Sequence, residues 1–153
     1  RSMPPVDREL PATELHPVGK ALATFGQLPI FMAELIPIDR AHPATVVRDT
    51  SVAYGSYLAH TGGCTGCHGE TLSGGKIPGT PPEWPPAANI TPTGIKKYSD
   101  VELMTLFRTG KRPDGTQLKE QMPWPYIAKM SDDELKTTIK YLRTVPPKDF
   151  GGR

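Results

Sequence analysis

The sequence predicts an all-α fold, because its clearest signals are helix starts and stops, and no segment reads as a β-strand. Two Ser-x-x-Glu capping boxes, at 99–102 and 131–134, each precede apolar residues at helical spacing. The first box predicts a helix over Asp100–Thr109 that Gly110 ends, and the second predicts a helix that ends before Pro146. With 153 residues, the chain has the length of one domain.

A third helix is predicted from Val52 to His60, just before the two cysteines of the chain. Asp49 or Thr50 is its expected N-cap, and Gly62 its expected stop. Gly55 in the middle of this helix costs about 1 kcal/mol relative to alanine. A glycine at this position is useful if another helix must cross at close range.

Residues 1–48 are predicted to form a proline-rich extension, and residues 49–153 the domain itself. The extension holds one apolar cluster, in which Ile30–Leu35 is expected to form a brief helix. We expect the extension either to pack on the outside of the domain or to act as a docking surface for a larger complex.

Charge and hydropathy narrow the choice of partners. The formal net charge is +2, and no basic stripe with interleaved aromatic residues supports nucleic acid binding. The uncharged run Ala21–Ala33 is well short of the ~20 residues that span a bilayer. No signal peptide is visible, so we expect the natural precursor to carry a signal or membrane anchor upstream of Arg1.

The stretch Cys64-Thr65-Gly66-Cys67-His68 has the clearest chemical meaning. Two thiols three positions apart can each add to a vinyl group of one porphyrin, and the next histidine can then bind the iron. The motif predicts one covalently attached haem c, with Cys64 and Cys67 as attachment points and His68 as an axial ligand.

Three other interpretations of this motif are open. A redox dithiol normally follows a strand, whereas this pair follows a helical pattern. A zinc site needs about four ligands, and only His16, His42 or His60 could complete the set. A structural disulfide across so short a loop would stabilise the fold little.

The candidates for the second iron ligand are the five methionines, the other histidines, or no side chain at all. Two methionines lie in the extension, Met104 falls on the apolar face of its helix, and Met130 sits where a hydrophobic staple is expected. Met122 lies outside any predicted helix, and Pro123 stiffens the backbone after it. Met122 is therefore the predicted distal ligand.

Residues 50–147 resemble a class I monohaem cytochrome c, of the kind found as electron-transfer subunits or domains of bacterial dehydrogenases and respiratory complexes. The matching pieces are Tyr54-Gly55-Ser56-Tyr57-Leu58-Ala59, Cys64-Thr65-Gly66-Cys67-His68-Gly69, Asn89-Ile90-Thr91-Pro92, Tyr98-Ser99-Asp100, Arg108-Thr109-Gly110-Lys111-Arg112-Pro113-Asp114-Gly115, Met122-Pro123-Trp124 and Tyr141-Leu142-Arg143.

The resemblance implies a class I cytochrome c fold of about three to five helices around one covalent haem. His68 would be its proximal ligand and Met122 its distal ligand. The first and last helices of the domain would cross near the haem, with Gly55 against Tyr141 or Leu142.

The resemblance also implies polar contacts around the haem. The His68 ring would donate its second N–H to a backbone carbonyl, expected in loop 78–86. Side chains expected to flank or bind the propionates are Trp84, Asn89, Tyr98 and Arg112. Tyr98 departs from related chains, which often have tryptophan there.

Histidine and methionine together would leave no open position on the iron, so the resemblance implies an electron carrier, not an enzyme. The expected partners are redox proteins, namely a membrane-bound respiratory complex or a dehydrogenase. The expected location is the periplasm, with membrane attachment only through a missing N-terminal anchor or a partner subunit. The alternative is a haem enzyme or gas sensor with five-coordinate iron, which gains if Met122 does not bind.

Overall fold

The computed structural model describes residues 11–12, 14–27, 36–39, 41 and 45–152. The chain divides into two compact units, Arg1–Ala44 and Thr45–Arg153. None of the helices within those described ranges has the length and apolar character needed to cross a bilayer.

The first unit contains helix α1 (Pro17–Thr24), whose eight residues are all exposed or half-buried. This helix was not predicted from the sequence. Its N-cap residue, His16, makes no side-chain hydrogen bond to the helix, so proline at the first turn is its main start signal. The helix expected at Ile30–Leu35 lies outside the described residues.

The described part of the second unit forms six helices: α2 (Val52–Thr61), α3 (Cys64–His68), α4 (Pro92–Ile95), α5 (Asp100–Thr109), α6 (Trp124–Ile127) and α7 (Asp132–Thr144). In the residues that the structure describes there is no strand, only two isolated bridges. The predicted all-α class is confirmed. The helix count is one above the expected range, because α4 and α6 are four-residue turns that proline initiates.

Both predicted capping boxes are present. In the first, Ser99 accepts a hydrogen bond from the backbone of Glu102 at 3.2 Å, and the Glu102 carboxylate accepts one from the backbone of Ser99 at 2.7 Å. The same pair of bonds joins Ser131 and Glu134. Helix α5 ends as predicted at Gly110, whose φ of 69° suits a residue without Cβ.

The N-cap of α2 is Ser51, so the prediction of Asp49 or Thr50 is wrong by one or two positions. The Ser51 hydroxyl accepts from the backbone N–H of Tyr54 at 3.1 Å. Asp49 contacts the N-cap residue instead of the helix: its carboxylate accepts a hydrogen bond from the backbone N–H of Ser51 at 2.9 Å. Asp49 therefore shapes the turn that leads into the helix, and Ser51 caps it.

Helices α2 and α7 cross at Gly55, as the family resemblance implies. A Cβ at this position would lie 2.3 Å from the carbonyl oxygen of Thr137 and 2.8 Å from the Cβ of Tyr141. The prediction of Tyr141 as its neighbour is confirmed. Leu142, the other expected neighbour, is only 2% exposed and belongs to the core.

The hydrophobic core is a cluster of five buried side chains from α4, α5, α7 and the loop after α3: Leu72, Ile95, Leu103, Ile139 and Leu142. Three of these residues, Ile95, Leu103 and Leu142, also line the large cavity of the second unit. The core therefore forms part of the wall of the candidate site.

Candidate haem site

A cavity of about 600 Å³ opens beside the Cys64–His68 helix in the second unit. This volume falls within the usual range of cofactor and ligand sites, roughly 300–1,000 Å³. Its wall is mainly apolar and comes from α4, α5, α7 and the loops at 77–90 and 112–122. Cys67, His68 and Met122 all lie on that wall.

The attachment motif forms its own short helix, α3, directly after α2. Gly63 adopts φ 77° at the N-cap of α3, which turns the chain between the two helices. A smaller cavity of about 80 Å³ is lined by Cys64, Cys67 and His68, and the last two also line the large cavity. Both thiols and the imidazole therefore line the smaller cavity, and Cys67 and His68 line both cavities.

The His68 side chain is 5% exposed, and its Nδ1 lies 2.7 Å from the carbonyl oxygen of Ala88. Because a carbonyl only accepts, Nδ1 carries the proton, and in this neutral tautomer the lone pair is on Nε2. That is the protonation state a ligating histidine requires, with the ring oriented by its second nitrogen.

The carbonyl that orients His68 belongs to Ala88, so the expectation of an acceptor in loop 78–86 is wrong by two residues. Ala87 and Gly75 exchange two backbone hydrogen bonds of 2.9 Å, which hold this part of the chain beside the motif. Gly74 permits the approach, because a Cβ there would lie 2.3 Å from the Ala87 oxygen. These contacts bring the Ala88 carbonyl to the His68 ring.

The thiol chemistry argues against a redox dithiol. Burial raises the pKa of the Cys64 thiol above its ordinary value, whereas reactive dithiols depend on a lowered thiol pKa. In the described part of the chain, no group of three or more His, Cys, Asp or Glu side chains is placed to hold a metal ion, and His42, one of the possible fourth zinc ligands, lies outside the described residues.

Met122 lines both cavities together with His68. It sits in a tight turn, in which its N–H donates to Lys119 at 3.0 Å and its carbonyl accepts from Trp124 at 2.7 Å. Met104 packs instead against the core cluster, and Met130 contributes to the smaller cavity.

Three of the four expected propionate contacts, Asn89, Tyr98 and Arg112, line the large cavity. Trp84 is 37% exposed and is not among the described residues that form the wall. The Asn89 side chain is also a structural tie, because its amide donates to the carbonyl of Lys148 at 2.7 Å.

Every charged side chain that the structure describes on the wall of the large cavity is cationic: Lys97, Arg112 and Lys119. Lys97 and Lys119 are absent from the sequence-based set, because lysines occur throughout the sequence and only the fold selects those that face the cavity. An apolar cavity with a cationic margin suits a large apolar ring that carries carboxylates. The residues present therefore fit a haem.

Comparison with known proteins agrees with this chemistry. The cytochrome c family model matches residues 52–146. The chain is 36% identical over 100 residues to the gluconate 2-dehydrogenase cytochrome c subunit of Pantoea cypripedii, a match that covers 61% of this chain and 23% of that protein.

Two further relatives are also cytochrome subunits. The fructose dehydrogenase cytochrome subunit of Gluconobacter japonicus is 34% identical over 116 residues, which cover 70% of this chain and 24% of that protein. The quinone alcohol dehydrogenase cytochrome c subunit of Gluconacetobacter polyoxogenes is 32% identical over 97 residues, covering 59% and 21% respectively. The chain thus matches about a quarter or less of the length of these relatives.

The segment that the family model matches begins at the first residue of α2 and extends two residues beyond the end of α7. It contains the whole Cys64–His68 motif, Met122 and most of the cavity wall. Covalent haem c and electron transport, both expected from the sequence, are the properties of this family. The chain belongs to the cytochrome c family.

Proposed function

We propose that this chain is the electron-transferring cytochrome domain of a bacterial dehydrogenase complex. The observation that carries the proposal is that Cys67, His68 and Met122 share the wall of one cavity of about 600 Å³. The three relatives described above, each named as a cytochrome subunit of a dehydrogenase, support the choice of complex.

In this proposal, Cys64 and Cys67 would attach the haem, and His68 and Met122 would bind its iron. The bound haem supplies a reversible one-electron couple. His68 remains in the ligating tautomer because the Ala88 carbonyl holds the proton of Nδ1. The apolar wall excludes water, which lowers the local dielectric constant around the ligands.

Two side-chain ligands leave no position for oxygen or peroxide, which favours an electron carrier over a five-coordinate enzyme or gas sensor. A methionine sulfur on the iron would also give a higher reduction potential than a nitrogen or oxygen ligand in the same position. Lys97, Arg112 and Lys119 provide positive charge at the cavity, where the propionates of a haem would need it.

The proposed electron donor is the catalytic subunit of a dehydrogenase, and the proposed acceptor is a further redox partner in a respiratory chain. The location proposed is the periplasm, because bacterial haem c is attached outside the cytoplasm. Any membrane attachment would come from an N-terminal anchor or from a partner subunit.

Matched substitutions of two methionines test the ligand set. The oxidised wild-type protein should show the weak far-red sulfur-to-iron band, and the reduced protein sharp c-type bands. Met122→Leu should abolish the far-red band, lower the reduction potential and allow carbon monoxide to bind. Met104→Leu, a volume-conserving change in the core, should keep all three properties.

Three other results would contradict different parts of this proposal. A colourless protein from a haem-competent host would refute the cofactor assignment. A wild-type spectrum of high-spin type without the sulfur band would favour the enzyme or gas sensor. An unchanged potential and spectrum in Met122→Leu would show that another residue is the distal ligand.

A further inference from the structure

The last turn of α5 carries an arginine that binds the chain just before α7. Nη1 of Arg108 donates to the carbonyl of Ala128 and, at 2.7 Å, to that of Met130. Its Nη2 donates to the carboxylate of Asp132, the first residue of α7, at 2.5 Å. The hydrogen bond and the positive charge of the Arg108 guanidinium lower the pKa of the Asp132 carboxyl.

The last turn of α7 carries an arginine that makes the reciprocal set of contacts. Arg143 donates to the carbonyls of Ile95 at 3.1 Å and Tyr98 at 2.5 Å. It also binds the carboxylate of Asp100, the first residue of α5, at 3.0 Å from Nη2 and 3.1 Å from Nε, one bond more than Arg108 makes to Asp132. Each arginine thus joins two backbone carbonyls and the first carboxylate of the opposite helix.

The two arginines have closely matched environments. Their side chains are 31% and 28% exposed, and those of their aspartate partners 66% and 70%. Because the chemistry and burial agree, we expect both contacts to stabilise the fold to a similar extent. They differ in the loop that each one holds.

The loop that carries Met122 is fastened at its start to the end of α5. The N–H of Leu118 donates to the carbonyl of Gly110 at 2.7 Å, and the Gln117 amide donates to that of Thr109 at 3.2 Å. The ring of Trp124 lies so close to Gly110 that a Cβ there would be 2.5 Å from Cε2. These contacts bind the chain on the N-terminal side of Met122 and just after it.

The end of the same loop is fastened by Arg108, through the carbonyls of Ala128 and Met130. Both ends of the segment 110–130 are therefore tied to the last turn of one helix, and Met122 lies between the two ties. Arg143 ties residues 95–98 instead, on the N-terminal side of α5.

We infer that Arg108 is a positioning residue for Met122, which keeps the sulfur available to the haem iron by closing the loop onto α5. This inference rests on the proposed role of Met122 as the distal ligand. Loss of the guanidinium would release the carbonyls of Ala128 and Met130 and widen the range of positions of the loop. Met122 would then leave the iron more often, and an external ligand would compete more easily.

The experiment compares Arg108→Gln with Arg143→Gln in the haem-loaded full chain. Carbon monoxide affinity of the reduced protein and the far-red band of the oxidised protein are measured, together with the denaturant midpoint. Arg108→Gln is expected to raise carbon monoxide affinity about tenfold or more and to weaken the band. Arg143→Gln is expected to change the affinity less than about twofold, although both variants lower the midpoint by similar amounts.

An unchanged affinity and band in Arg108→Gln would overturn the inference, and so would equal increases in affinity in both variants, which would indicate general loosening. If Arg108→Gln fails to accumulate with haem, Arg108→Lys replaces it. Lysine has a single terminal nitrogen, which cannot reproduce the arrangement in which Nη1 of Arg108 holds both carbonyls while Nη2 holds Asp132. Affinity should therefore still rise, and no rise would overturn the inference. A wild-type protein without the far-red band refutes the ligand role of Met122 itself, and the inference with it.

Discussion

Because Gly55 has no side chain, the backbone of α2 can pack directly against the backbone of α7. We predict that Gly55→Ala lowers the free energy of unfolding by about 2 kcal/mol, because overpacking against a backbone carbonyl outweighs the gain in helix propensity. The nearest obstacle is the Thr137 oxygen, 2.3 Å from the added Cβ, and a backbone atom cannot move aside as a flexible side chain can. Denaturant unfolding of the haem-loaded protein measures the change.

Gly19→Ala is the matched control for this substitution. Gly19 is also helical, and among the residues that the structure describes its added Cβ would meet Leu15 alone, at an ordinary contact distance of 3.6 Å. Helix propensity alone applies to the control, which should raise the free energy of unfolding by up to about 1 kcal/mol. A Gly55→Ala variant as stable as the control would mean that the two helices can separate without loss.

At the scale of single elements, the two capping boxes link helix stability to pH. Hydrogen bonds from Ser99 lower the pKa of the Glu102 carboxyl, and the backbone N–H of Ser131 does the same for Glu134. A carboxyl with a lowered folded-state pKa binds fewer protons in the folded than in the unfolded protein. Its contribution is therefore complete above the unfolded pKa, about 4.3 for glutamate, and is lost as the pH falls through the folded value.

We predict that the double variant Glu102→Gln, Glu134→Gln has a smaller fall in stability between about pH 5 and pH 3 than the wild type. Glutamine can still accept the N-cap hydrogen bond but does not titrate in this range. Denaturant midpoints across the pH series measure the slope. The exposed residues outside the caps, Glu83 and Glu120, provide the control pair of glutamine substitutions, and equal slopes in both double variants would contradict the prediction.

At the scale of the whole molecule, the site lies within the second unit. The residues that line the two cavities run from Leu58 to Phe150, and the core cluster lies between Leu72 and Leu142. We predict that a chain of residues 45–153, exported by a haem-competent host, binds haem and shows the same reduced and far-red bands as the full chain.

A second chain that begins at Asp49 tests the boundary predicted from the sequence. It retains the contact in which Lys140 donates to the carbonyl of Thr50 at 2.9 Å, so it should behave in the same way. Haem loss or an altered band in either shortened chain would show that residues of the extension contribute to the site.

Local sequence signals predicted the helical class, the bounds of α5 and the capping boxes, and the family resemblance implied the crossing at Gly55. They succeeded because helix capping depends on groups within about four residues of each other. The attachment motif is equally local, so its spacing alone predicts that Cys64, Cys67 and His68 bind the haem. The α2 cap was missed by a small margin, since Asp49, Thr50 and Ser51 are all acceptable N-caps and only the backbone geometry selects one.

Tertiary structure alone decided which distant groups meet. The His68 proton is held by Ala88, twenty positions away, and Asn89 binds the carbonyl of Lys148, fifty-nine positions away. Neither partner has a sequence signature, because any backbone carbonyl can accept a hydrogen bond. Motif spacing thus determined the chemistry of this protein. The packing of the helices decided that the loop with Met122 lies at the cavity, and that Arg108 rather than Arg143 contacts the end of this loop.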